Sequence, residues 1–305
     1  MPFWPWLIVL CLRTLARLPL SWLHWIGANG GRAVFAWSRK TREQLLRNVR
    51  GAGIAGDREE DVLRFGRACA VELGKGALEI LPLWFGRASD MLAKVRPDQS
   101  WDAVQPLLAA GKGVIFLTPH LGGFELAGQF LAYRMPVTIM YRKPRIAWLD
   151  PVLRYARAQG QAQLTTADTR GVRASLKALK RGEAIGMLPD QVPAQGSGVL
   201  ADFFGRPAYT TTLIGRLERA TGAPIVVLCA RRLPEAAGFE LTCHRLPGPL
   251  PADEAAAARA LNALQEDIIR RCPEQYLWSY NRFKRPAGVP PQADTSPPQP
   301  ARDGA

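Results

Sequence analysis

The spacing of apolar and polar positions changes along this chain, and from Trp101 onward it settles into alternating units. DAVQPLLAAGKG (102–113) reads as a helix with a glycine stop, and GVIFLT (113–118) as a buried strand. FELAGQFLAYR (124–134) predicts a helix, PVTIMYR (136–142) a strand and DPVLRYARAQG (150–160) a helix. TRGVRASLKALKRG (169–182) has a sharp amphipathic period closed by Gly182, and EAIGMLPDQ (183–191) runs from strand into loop. TTTLIGRLERATG (210–222) is helical, while APIVVLCARRL (223–233) and GFELTCHRL (238–246) are strand-like. Asp253 stands where a cap is needed for EAAAARALNALQEDIIRRC (254–272). Strands alternating with helices predict an α/β fold: a central, mostly parallel or mixed sheet flanked by helices on both faces.

Upstream the pattern is helical and has no strand period. Residues 38–72 are helix-like and charged, and KGALEILPLWFG (75–86) is an apolar helical stretch broken by Pro82. ELGKG (72–76) lacks the spacing of a phosphate loop, so no nucleotide site is expected there. The first residues are different again. PFWPWLIVLCL (2–12) is apolar throughout but short of the ~20 residues a spanning helix needs. Its positive charges, Arg13 and Arg17, follow the apolar run, whereas a secretory signal puts them before it. Trp4, Trp6, Trp22 and Trp25 have the ring chemistry that favours the headgroup level of a bilayer. Arg13 and Arg17, one helical turn apart, can reach phosphates together. We therefore expect a membrane-associated N-terminal segment over 1–30, a main domain over 31–285 and a disordered tail over 286–305, which carries six prolines.

Charge and cysteine content narrow the function. The chain carries 40 Lys+Arg against 26 Asp+Glu, a formal charge of +14, which calls for an anionic partner. A nucleic-acid binder would interleave exposed aromatics with its basic residues or carry a reading module, and neither is present. The five cysteines are scattered without a CxxC pair, so no disulfide framework, zinc site or other metal is expected.

One stretch carries chemistry. In TPHLGGFELAG (118–128), His120 stands just past the carboxyl end of a predicted strand, where open α/β sheets bind ligands. Pro119 disfavours helix before it, and Gly122–Gly123 let the backbone turn closely. Glu125 falls in the first turn of the next helix. Folded back onto that carboxylate, an imidazole keeps one tautomer and can deprotonate a hydroxyl with its other nitrogen. No GxSxG nucleophile is present, so the hydroxyl is expected to be the substrate's own. The same spacing also suits a histidine that merely hydrogen-bonds near a helix.

TPHLGGFELAG, MYRKP (140–144), GVRASLKALKRGEAIGMLPDQ (171–191) and ADFFGRPAYTTT (201–212) resemble, in order and spacing, the bacterial lipid A late acyltransferases of the lysophospholipid acyltransferase superfamily. The similarity runs from about Asn48 to WSYNRFKRP (278–286). The resemblance implies a glycerolipid acyltransferase-like α/β domain with a membrane-associated N-terminal helix, at the cytoplasmic face of a bacterial inner membrane. The implied activity moves a fatty acyl chain from acyl carrier protein, without a cofactor, to a hydroxyl of an anionic membrane glycolipid. His120 and Glu125 match the family's H-x4-D/E dyad, Arg142 its YR element, and Asp190 and Gln191 its DQ element; Arg206 lies in the FFGRP element. Arg142 or an amide near Gly122–Gly123 is expected to stabilise the oxyanion. MLPDQVPAQGSG stands where phospholipid acyltransferases carry an FPEGTRS-like block, which points to a glycolipid acceptor. Another membrane lipid, such as a phosphoinositide mannoside, an ornithine lipid or a lysophospholipid, is the alternative. Ten Lys/Arg against two acids over 142–181 suit the phosphates of the acceptor or an acidic carrier protein.

Overall fold

Four helices open the computed structural model, which describes residues 4–143 and 149–289. They are α1 (Trp4–Leu15), α2 (Leu20–Trp37), α3 (Arg39–Gly51) and α4 (Glu59–Phe85). The α2–α4 crossing is built on small residues. A Cβ added at Gly27, Gly31 or Gly74 would meet backbone of the facing helix at 2.5 Å or less. Helix α4 does not break where the sequence suggested. It runs through Pro82 and stops three residues later at Phe85, so the proline lies in the last turn. No helix of the described residues is long and apolar enough to cross a membrane.

The alternating part then follows: α5 (Ala88–Leu92), β1 (Val95–Pro97), α6 (Gln105–Ala109), β2 (Val114–Leu117), α7 (Phe124–Ala132), β3 (Val137–Tyr141), α8 (Leu149–Arg157), β4 (Ala162–Thr166), α9 (Thr169–Lys180) and β5 (Ala184–Met187). A hairpin of β6 (Gly198–Phe203) and β7 (Arg206–Thr211) interrupts it, before α10 (Leu213–Thr221), β8 (Ile225–Arg232), β9 (Phe239–Arg245) and α11 (Glu254–Arg271). The sequence pattern had assigned no strand to β1, β4 or the β6–β7 hairpin. Residues 290–305, the greater part of the proline-rich tail, lie outside the described residues.

Among the described residues seven strands form one sheet in the order β1-β9-β8-β2-β5-β3-β4, and β6–β7 stand apart as a two-stranded sheet. From β8 to β4 all neighbours are parallel, while β9 is antiparallel to β8 and parallel to β1. The sheet is therefore mixed and mostly parallel, as the alternation of elements predicted. Successive side chains point to opposite faces. Ile115, Leu117, Ile185 and Val227 pack on one face against Leu179, Leu217 and Leu261 of α9, α10 and α11. Val114, Phe116, Val226 and Leu228 pack on the other against Leu126 and Phe130 of α7.

Candidate functional site

Strand order builds the centre of the site. β2 and β5 are parallel neighbours with Leu117 opposite Met187, and the amide of Thr118 extends the ladder to the Met187 carbonyl at 2.9 Å. Each strand is followed by a residue, a proline and a polar side chain: Thr118-Pro119-His120 after β2, and Leu188-Pro189-Asp190 after β5. The matched offsets bring together two residues far apart in sequence. His120 Nδ1 lies 2.8 Å from Asp190 Oδ1, and the His120 amide donates to Oδ2 at 2.9 Å. Both side chains are buried. Burial works to raise the Asp190 carboxyl's pKa. The attraction of His120, the hydrogen bonds from its ring and amide, and nearby Arg282 outweigh it and hold the carboxylate below its ordinary range.

With Nδ1–H facing a carboxylate, the ring keeps its lone pair on Nε2. The side-chain nitrogen of Gln191 lies 3.2 Å from that atom, and the Phe124 ring tilts over the imidazole at 4.7 Å between centroids. Gln191 also lines an open cleft of about 760 Å³. Arg142, Lys143 and Arg216 stand on its wall beside apolar Leu176, Leu213 and Leu217. Arg142 is held there by a hydrogen bond to the Val192 carbonyl at 3.2 Å, and the Val192 amide bonds the Tyr280 hydroxyl at 3.1 Å.

Two expectations are corrected. The carboxylate on His120 is that of Asp190 and not that of Glu125. Glu125 sits in the first turn of α7, as predicted, but both its oxygens bond Arg157 from α8, Oε2 at 3.0 Å. Burial lowers the Arg157 pKa, and Glu125 more than offsets this, so the guanidinium is held more firmly protonated than usual. The pair lines a small void of about 40 Å³ between α7 and the sheet. Second, the amides of Gly122 and Gly123 are already satisfied, by the carbonyls of Gln275 at 3.1 Å and Ala230 at 2.8 Å. Both bonds tie the histidine loop to its neighbours, Gly122 to the segment after α11 and Gly123 to β8. Gly122 is required for close approach instead: at φ +57° a Cβ would lie 2.2 Å from the Ala230 carbonyl oxygen. Among the described residues no acceptor bonds the amides of Phe124, Glu125 and Leu126, at the positive end of the α7 dipole.

Arg206 is not part of this group. Its guanidinium stacks on the Phe283 ring at 4.0 Å and abuts Gly51. Several supporting residues gave no signal in the sequence. The Leu277 amide donates to the His120 carbonyl at 3.0 Å, and the Gln275 side chain bonds the backbone N–H and C=O of Arg232 at 2.8 and 2.9 Å. Asn48 donates to the carbonyls of Trp278 and Tyr280 at 2.6 and 2.8 Å. Buried Arg282 donates to the Tyr209 carbonyl and Thr210 Oγ1 at 2.9 and 2.7 Å.

Comparison with known proteins bears on this geometry. The family model described as bacterial lipid A biosynthesis acyltransferase matches residues 2–285. The chain is 26% identical over 295 residues to a lipid A biosynthesis lauroyltransferase of Escherichia coli (strain K12), covering 93% of each chain. It is 29% identical over 219 residues to a lipid A biosynthesis palmitoleoyltransferase of the same organism, covering 71% of this chain and 70% of the other. A myristoyltransferase of lipid A biosynthesis, again from that strain, is 24% identical over 299 residues, 90% of this chain and 91% of its own. With a match across nearly the whole described fold, this chain belongs to the bacterial lipid A biosynthesis acyltransferase family and is an acyltransferase.

Proposed function

We propose that the protein transfers a fatty acyl chain from the thioester of acyl carrier protein to a hydroxyl of a lipid A precursor, with His120 as general base and Asp190 as its partner. The observation that carries this is the orientation of His120: Nδ1 is held by a buried carboxylate, and Nε2 faces Gln191, a residue that lines the large cleft. An acceptor hydroxyl that displaces the Gln191 amide gives its proton to Nε2 as it attacks the thioester carbonyl. Asp190 offsets the charge of the imidazolium that results. The imidazolium returns its proton to the carrier protein's sulfur as the carbon–sulfur bond breaks, so that the ester and the free carrier thiol leave and the neutral imidazole is restored. Arg142, Lys143 and Arg216 suit the phosphates of an anionic acceptor. The open amides of Phe124 and Glu125 at the start of α7 supply dipoles for the oxyanion. Glu125 acts through Arg157 at the wall beside the ring.

The protein works at the cytoplasmic face of the bacterial inner membrane, where its N-terminal helices contact the bilayer. Trp22, Trp25 and Trp37 of α2 all point to solvent, and the exposure of Trp37 reaches 86%. Incubation of the enzyme with acyl carrier protein charged with a fatty acid and an under-acylated lipid A precursor should add one acyl mass to the lipid. His120→Ala should cut the rate by at least ~10³-fold. Near-normal transfer by His120→Ala, or a product mass on another lipid only, would end this assignment.

A further inference from the structure

Well-exposed large apolar and aromatic side chains are not scattered over this protein. Among the described residues they lie on α1 and α2, with two exceptions: Tyr133, just past α7, and Tyr155 in α8. Those two tyrosines are not isolated either. They rim an open cleft of about 530 Å³ that also takes in Arg13, Trp84, Arg87 and Val152. Arg13 comes from the last turn of α1, Trp84 and Arg87 from the end of α4 and the turn after it, and Val152 from α8. No carboxylate lines this cleft, and among the described residues neither arginine pairs with an acid. A second cleft of about 750 Å³ shares Phe85, Gly86 and Arg87 with the first and adds Arg17 and Lys94, but it also contains Asp90 and Glu235. Helix α1 ends at Leu15, so Arg13 and Arg17 do not act as a helical pair. They stand in different clefts that share Arg87.

Two exposed guanidinium groups at an acid-free cleft are free to receive an anion, and Arg recognises phosphate through its planar fork. A soluble phosphate would explain the arginines but not the exposed tyrosines and tryptophans around them. A bilayer phospholipid explains both, because Tyr and Trp settle at headgroup depth and basic residues there are drawn to anionic lipid. We propose that this cleft holds the phosphodiester of an anionic bilayer phospholipid between Arg13 and Arg87, with Tyr133 and Tyr155 at headgroup depth. The proposal rests on the membrane contact assigned above to the N-terminal helices and extends that contact to α8. The extension has a consequence for the site, since Tyr155 lies on the outer side of the helix whose Arg157 holds Glu125.

The test is sedimentation of the full chain with vesicles of phosphatidylcholine, alone or mixed with phosphatidylglycerol, neither containing any lipid A precursor. The wild type should bind the mixed vesicles more tightly. Arg13→Gln with Arg87→Gln should lose about five-fold per arginine, roughly 25-fold together, on the mixed vesicles only. Lys177→Gln with Lys180→Gln removes equal charge from the exposed side of α9 and should keep the preference. All four side chains are exposed, and an unchanged thermal midpoint verifies folding. The cleft assignment fails, with membrane contact intact, on any of three results. The wild type binds both vesicles equally, the arginine variant keeps its preference, or the lysine variant loses as much. A wild type that sediments with neither vesicle overturns the membrane contact as well.

Discussion

Asp190→Asn tests the proton arrangement of the site at a single residue. Both Asp190 oxygens accept, one from Nδ1 of His120 and one from the His120 amide. An asparagine has one acceptor oxygen, so its NH₂ must face one of these donors. Either the loop loses an anchor or the ring adopts the other tautomer, which protonates Nε2 and removes the base. The expected cost is ~10²–10⁴-fold in kcat with little change in KM. Glu125→Gln should lower the rate by less, since it unpairs Arg157 and leaves both bonds between His120 and Asp190 in place. If Glu125→Gln costs as much as His120→Ala and Asp190→Asn costs nothing, the working partner of His120 is Glu125. His120 was legible in the sequence from its place after a strand and before two glycines. Its partner was not, because H-x4-E is a local spacing, whereas the 2.8 Å contact to Asp190 depends on β2 and β5 being parallel neighbours in register. The repeat of LTPH and MLPD after two apolar strands was the available signal, and it means something only once strand order is known.

At the scale of elements, the α2–α4 crossing makes adjacent glycines behave in opposite ways. A Cβ on Gly31 would sit 2.0 Å from the Ala70 carbonyl oxygen, and both partners are helix backbone, so the helices must separate. Gly31→Ala should destabilise by about 1–3 kcal/mol. Gly30 is exposed with nothing within 4 Å, and Gly30→Ala should stabilise by about 0.5–1 kcal/mol through helix propensity. Urea unfolding of the two variants checks both signs, and equal effects would mean the helices do not cross where they are described. Elements with a strong period were readable in advance, as the amphipathic α9 and the buried β2 show. The β6–β7 hairpin was not, since its two-residue turn is Phe204-Gly205, with φ +50° and +69°, where Asn-Gly would have announced it. Tertiary contacts support the unusual residue: the Phe204 amide bonds Glu266 at 3.0 Å, and its ring packs 5.5 Å from that of Trp278. Pro82 misled for a related reason, because a proline in the last turn ends a helix without kinking its body.

Across the whole molecule, one buried cluster of charges ties the N-terminal helices to the sheet. Glu79 of α4 accepts from Arg232 at the end of β8, including Nη2 at 2.6 Å, and lies 2.5 Å from Nε2 of His24 on α2. Glu72 accepts from Arg232 at 2.6 Å and from Lys75 at 2.5 Å. The same Arg232 is held through its backbone by Gln275, whose carbonyl receives the Gly122 amide of the histidine loop. Burial alone would raise the Glu79 carboxyl's pKa, but Arg232 and then His24 overcome that and bring it down to about 2. Folding therefore lowers a pKa whose ordinary value is 4.5. The stabilisation is complete above that ordinary value and is lost as the pH falls through the interval to about 2, because there the unfolded chain binds the extra proton. The lost contribution is on the order of a few kcal/mol. Glu79→Gln should cost about 3–5 kcal/mol at pH 7, since it leaves much of the buried Arg232 charge uncompensated. Below pH 4.5 its stability should then fall less steeply than that of the wild type. Parallel acid slopes for the two proteins would show that folding does not lower the Glu79 pKa, and that its bonds to Arg232 and His24 add no pH-dependent tie between the N-terminal helices and the sheet.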